Sequence, residues 1–247
     1  MSKELPLLST IKDAIPITAL SQPQRRELQH ALLVLGYPVG DIDGLHGPRT
    51  ATAWSEYKHD VYQGHPDMIG PGSVSLLKTR LPDQREHNFG TKEGTISAII
   101  FECRRQGLVY PNQIAYVLAT TEWETNKTFQ PVIEAYWLPD EWRRTHLRYF
   151  PYYGRGYVQL TWRENYRKYG EILGIPLEQK PDLALDPSVA LFVLVHGLKT
   201  GTFTGRKISD YIDHSRVDYF RARRCVNGMD KAAEIAGLAR DWAKRII

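Results

Sequence analysis

Cysteine is scarce in this chain, and long hydrophobic runs are missing. The two cysteines among 247 residues, Cys103 and Cys225, lie far apart in helical-looking segments. That spacing predicts a pair of buried free thiols rather than a disulfide or a metal site. No apolar run approaches the roughly 18 residues of a membrane-spanning helix; the longest candidates, Ile96 to Phe101 and Val189 to Val195, are core-sized. Near the N-terminus no apolar stretch leads to a small-residue cleavage site, so no secretory signal is expected and any export takes another route. The eight histidines include no His-Glu-x-x-His or comparable ligand spacing, which argues against a zinc-dependent hydrolase. Neither a metal nor a cofactor is expected.

Charge is also modest. With 32 Lys and Arg against 28 Asp and Glu, the net charge is +4, a bias that suits an anionic polymer without identifying one. The basic clusters Arg104-Arg105, Arg143-Arg144 and Arg221 to Arg224 are short and match no nucleic-acid-binding module. They read as solvated helix faces, and a nucleic-acid partner is not expected.

What is present is helical periodicity in two blocks. A polar stretch, 83–91, separates residues 1–82 from 92–247 and reads as a linker. In the first block, with its core at 24–81, the spacing predicts helices over Gln24 to Leu35, Thr50 to Tyr57 and Ser73 to Leu81. Between them a glycine-rich turn into a helix occurs twice, at Asp43-Gly44-Leu45-His46-Gly47-Pro48 and Asp67-Met68-Ile69-Gly70-Pro71-Gly72. Leu-Gly-Tyr followed by Asp-Gly-x-x-Gly-Pro-x-Thr resembles the small three-helix peptidoglycan-binding domain, over Leu28 to about Leu81. The resemblance implies attachment to glycan strands of the bacterial wall. It assigns no sugar-contacting residue.

The second block reads as mainly α, with helices over Thr95 to Gln106, Pro111 to Thr128 and around 162–173, 187–198, 207–213, 216–226 and 230–246, and one short extended piece at Tyr157 to Leu160. Its chemistry lies in acids beside aromatics. Glu122, Glu124 and Glu134 fall close together, and glycosidic hydrolysis needs two carboxyl groups, one to donate a proton and one to activate water or attack carbon. Helical phase alone does not choose between Glu122 and Glu124. The run Tyr152-Tyr153-Gly154-Arg155-Gly156-Tyr157-Val158-Gln159-Leu160-Thr161-Trp162, then Asn165-Tyr166, gathers ring faces for pyranose stacking, amides for hydroxyl and N-acetyl groups, and glycines that permit close approach.

This run resembles the Tyr-Tyr-Gly-Arg-Gly-x-x-Gln-Leu signature of family 19 glycoside hydrolases, the group of plant chitinases and lysozyme-like phage endolysins. Ala119 to Thr125 with Gln130-Pro131 and Glu134 resembles the family's acid-bearing stretch, and Arg223 to Asp230 a downstream one. The resemblance implies an α-helical lysozyme-like fold and an inverting reaction. In it Glu124 is the general acid, Glu134 the general base and Thr161 the holder of the attacking water, with Glu122 a bystander. Tyr152, Gln159, Asn165 and Asn227 match substrate-contacting positions, Lys231 stands where an arginine often lies near the acid, and Arg155 reads as structural, bridging carboxylates in the core. Trp123 replaces the family's usual histidine. The short stretch between Glu134 and Tyr152 implies a more open groove than that of plant chitinases.

Together the two resemblances imply an endolysin that cuts the β-1,4 bonds of peptidoglycan, with a chitinase or a non-catalytic wall-binding protein as alternatives. Such a protein is expected to act as a monomer without stable membrane association. It would wait in the host cytoplasm until a holin releases it to the periplasm and wall.

Overall fold

The computed structural model describes residues 4–61, 64–81 and 87–246. The chain divides into two compact units, Met1–Arg85 and Glu86–Ile247. Residues 83–86 of the expected linker lie outside the described residues. Both units are mainly α-helical. Among the described residues no helix is long and apolar enough to cross a membrane.

The first unit packs α1 (Gln22–Val34), α2 (Pro48–Asp60) and α3 (Pro71–Arg80), with a two-residue antiparallel pairing of β1 (Ile15–Pro16) and β2 (Met68–Ile69). Ser21 begins α1 with a reciprocal capping box to Gln24, which satisfies backbone donors that the first helical turn leaves open. Leu28, Leu32, Trp54, Tyr57, Ile69 and Leu77 form its fully buried centre. Leu5, Leu8, Ile11 and Ile17 are buried as well, so the core begins well before residue 24. The Asp43-Gly44 turn has a structural cause. Gln29, itself buried, accepts from the Gly44 amide at 2.8 Å and donates to Asp43 Oδ1 and Thr50 Oγ1, each at 3.0 Å. The side-chain bond from Gln29, then the Leu45 amide, hold the Asp43 carboxyl below its usual range. Gly44 has φ +76°, and an added Cβ would meet Gln22 O at 2.8 Å, so only glycine fits.

In the second unit α5 (Pro111–Glu124) is the central helix; all residues from Gln113 to Thr121 are buried. It packs against α4 (Lys92–Arg105), α8 (Pro187–Thr200) and α9 (Ala232–Ile246). Trp242 of α9 donates its indole N–H to Glu122 at 2.7 Å. Glu122 is therefore a link between helices. The helix expected to run to Thr128 ends at Glu124, because Thr125 Oγ1 donates back to Thr121 O at 2.7 Å and accepts from the Phe129 amide at 3.0 Å. Such local side-chain bonds compete with helix continuation. Asn126 and Lys127 then take left-handed φ of 47° and 67°.

Helices α6 (Asp140–His146) and α7 (Arg163–Leu173) flank a short pairing of β3 (Val132–Ile133) with β4 (Arg155–Gly156). The extended piece expected at Tyr157 to Leu160 is instead the return of a tight loop, bridging Leu160 to Arg155. The helices expected at 207–213 and 216–226 are short 3-10 turns, Ile208–Asp210 and Arg221–Cys225. Between them Asp213 Oδ1 accepts from the Ser215 and Arg216 amides, both at 2.8 Å, which turns the chain where a helix would have run on. Cys103 and Cys225 are buried free thiols, as expected; burial pushes the Cys225 thiol up to about 12.

The reading of the basic clusters as solvated faces requires correction. Arg105 is buried against Glu102, and Arg143 and Arg223 are buried too. Arg155 is structural, though with one carboxylate only: it donates to Asp182 at 2.9 Å, to Pro151 O and Tyr153 O, and to the Tyr166 hydroxyl.

Gly156, at φ +86°, brings β4 to 3.0 Å, from the place of an added Cβ, of the Ala184 carbonyl oxygen. Gly156→Ala is expected to cost about 1–3 kcal/mol from left-handed strain and crowding, read as a lower urea midpoint with an unchanged slope.

Candidate active site

Glu134 immediately follows β3, and the pairing with β4 fixes it. Its amide donates to Gly154 O at 2.8 Å, and the Gly154 amide donates to Glu134 Oε2 at 2.8 Å. The other carboxyl oxygen accepts the Tyr149 hydroxyl at 2.7 Å. Both carboxyl oxygens thus act as acceptors. Burial, followed by the bond to Glu134, pushes the Tyr149 hydroxyl up to about 12, so it keeps its proton and donates throughout the neutral range. Gln159 Nε2 donates to Val132 O at 3.1 Å, and its Oε1 lies 2.5 Å from where a Cβ on Gly154 would stand. A side chain at position 154 would therefore push the Gln159 amide aside.

Glu124 is the last residue of α5, and its side chain is 16% exposed. Arg223 Nη1 donates to its Oε1 at 2.7 Å, while Arg223 Nε holds Asp230 O at 3.1 Å. The Arg221–Cys225 turn thereby supplies a buried guanidinium at the end of the central helix. At this distance in a partly buried setting, the pairing fixes the carboxyl far more firmly than a surface pair would.

Both carboxyl groups line one open groove of about 690 Å³, together with Thr161, Gln159, Asn165 and Asn227. The Asn165 amide donates to Thr161 O at 2.9 Å and so carries α7's first turn against the groove. Six of the eight expected site residues are thus brought together. Tyr152 and Lys231 are not among the lining residues. Tyr152 packs against Tyr166, ring centroids 5.5 Å apart, and Lys231 is exposed at φ 61° and paired with Glu234 at 3.4 Å. The cation beside Glu124 is Arg223. Sequence reading also missed Tyr149, Trp162, Thr204, Arg206 and Arg224, all of which line the groove. Of these Trp162 lay in the recognised run and Arg224 in the recognised downstream stretch, but neither was given a role. Trp123, in the histidine's place, faces a separate cleft of about 240 Å³ with Glu122, Asn126 and Lys127. Among the described residues no cluster of His, Cys, Asp and Glu could hold a metal ion.

No protein-family model matches the chain. A 40-residue segment, 16% of this chain, is 52% identical to an endochitinase from Arabidopsis thaliana, of which it covers 14%. A segment of 41 residues, 17% of the chain, is 46% identical to endochitinase CH5B from Phaseolus vulgaris, covering 12% of it. Local sequence in this chain is chitinase-like. The chain therefore matches only a small part of the length of these curated relatives. Chitinase C from Streptomyces griseus aligns in structure with a TM-score of 0.46 and 15% identity, over 66% of this chain and 79% of that one.

Arg223→Gln strands a partly buried carboxylate and is expected to destabilise the second unit by about 3 kcal/mol, measured by urea unfolding. Glu124→Gln in the same background should restore part of that loss; an equal effect of Glu124→Gln in the unsubstituted and Arg223→Gln backgrounds would show that the pair contributes no coupling. For Tyr149 the folded-state value is raised above the ordinary 10. Its bond to Glu134 therefore stabilises fully below about pH 10 and is lost as pH rises through about 12. Burial raises several other tyrosines as well, Tyr157 and Tyr166 among them, so ultraviolet titration should show several late tyrosines and one fewer in Tyr149→Phe.

Proposed function

We propose that the chain is a glycoside hydrolase that cleaves β-1,4 bonds in N-acetylglucosamine-containing polymers, with bacterial peptidoglycan as its substrate. The observation that carries this reading is the shared groove: two carboxyl groups from different elements, a hydroxyl at Thr161, and the amides of Gln159, Asn165 and Asn227. The local likeness to endochitinases supports the reaction class.

Glu124 donates a proton to the leaving glycosidic oxygen as the C1–O bond breaks. Arg223 stabilises the carboxylate that remains, which favours the transfer. Glu134, oriented by Tyr149 and Gly154, takes a proton from water held at Thr161, and the new C1–O bond forms on the opposite face. Inversion by this route needs carboxyl groups roughly 6.5–9.5 Å apart. The product carries the α configuration. Trp162, 44% exposed on the groove, offers a ring face to a pyranose.

The first unit, in this reading, holds the chain on glycan strands, and the whole protein is a phage endolysin, a monomer without stable membrane association. It is kept in the host cytoplasm until a holin opens the way to the wall. A chitinase is the second reading, favoured by the names of the relatives.

Glu124→Gln is expected to lower turnover of purified peptidoglycan by at least about a thousandfold while wall binding persists. Undiminished release of reducing ends by that variant would sink the assignment. Thr161→Val should lose about ten- to a hundredfold in kcat with KM little changed. Mass analysis of the new ends separates muramidase from glucosaminidase, and faster release from chitin oligomers than from murein would favour the chitinase reading.

A further inference from the structure

Two arginines stand in the groove with no role in the chemistry above. Arg206 and Arg224 both line it, and both are exposed. Neither has an acidic partner within ion-pairing distance among the described residues, in contrast to Arg105, Arg143, Arg155 and Arg223. The acids lining the groove are Glu124, which is paired with Arg223, and Glu134. The lining therefore carries an excess of positive charge where a substrate must lie.

Both arginines belong to one built wall. Thr204 Oγ1 donates to Arg224 O at 2.6 Å and accepts from the Arg206 amide at 3.4 Å. One hydroxyl thus ties the loop after α8 to the Arg221–Cys225 turn that also carries Arg223. The backbones bearing the two guanidinium groups are held together before any ligand arrives, so less conformational freedom is lost when an anion binds.

We propose that Arg206 and Arg224 form a subsite for a carboxylate carried by the wall polymer, as on the peptide side chains attached to its muramic acid residues. The assignment rests on the groove being the substrate site and deepens the reading above by naming what selects an acidic polymer over a neutral one. A neutral N-acetylglucosamine chain offers the guanidiniums no counter-charge. A carboxylate offers each a charge-assisted hydrogen bond, with bidentate geometry available to arginine.

The test compares peptidoglycan fragments with the same fragments after their carboxyl groups have been converted to amides. Binding is measured by calorimetry and cleavage by reducing-end release, for the full chain and for Arg206→Gln, Arg224→Gln and the double variant. Amidation should weaken binding by the unsubstituted protein about tenfold, and each single variant should lose about threefold more affinity for the acidic fragment than for its amide. The double variant should no longer distinguish the two. Equal binding of both forms by the unsubstituted protein, or equal losses on both in the variants, would overturn the subsite. Preference for the acidic form without cleavage of either would leave the subsite standing and remove the hydrolase reading. Cleavage of both forms with equal kcat/KM and equal affinity would do the reverse.

Discussion

Gly154 and Glu134 hold each other from both sides: one amide donates along the backbone ladder, and the other reaches the carboxylate. This reciprocal contact couples the position of a reactive side chain to the register of a two-residue strand pair. Little else in the second unit would fix a carboxyl group that stands outside any helix. The pair itself is too short to be stable alone, and it persists because Gln159 pins Val132 and Arg155 ties the β4 segment to Asp182, Tyr166 and two carbonyl groups. The glycines and the arginine of the recognised run thus serve the site indirectly, by making a loop rigid.

Glu124 is anchored by a different physics. It ends the central helix of the unit, where Thr125 closes the last turn, and a guanidinium from a distant turn meets it. One carboxyl group is therefore held by neutral donors and the other by a cation. Two chemically identical side chains are thus set in unlike surroundings.

How much of this was legible follows from how local each feature is. The run from Tyr152 to Tyr166 and the turns at Asp43 and Asp67 are contiguous, and a pattern of residue types was enough to find them. The end of α5 was misjudged by four residues because Thr125 looks helical until its hydroxyl is seen to bond Thr121 and Phe129. The cation beside Glu124 was sought at Lys231 by resemblance. Arg223 stands among four residues of which three are arginines, and nothing local says which of them turns inward. Tyr149 belongs to no motif, and only the fold brings it to Glu134. Tyr152 was selected for its ring, but that ring is used against Tyr166.

The sealed thiol of Cys225 sits one residue from Arg224 and two from Arg223, in the turn that serves both the acid and the groove wall. Its hydroxyl-tethered neighbourhood leaves no path for a labelling reagent while the turn is closed. The rate at which such a reagent finds Cys225 is then a clock for breathing of this turn, and a ligand that bridges the wall should slow that clock without touching the sulfur.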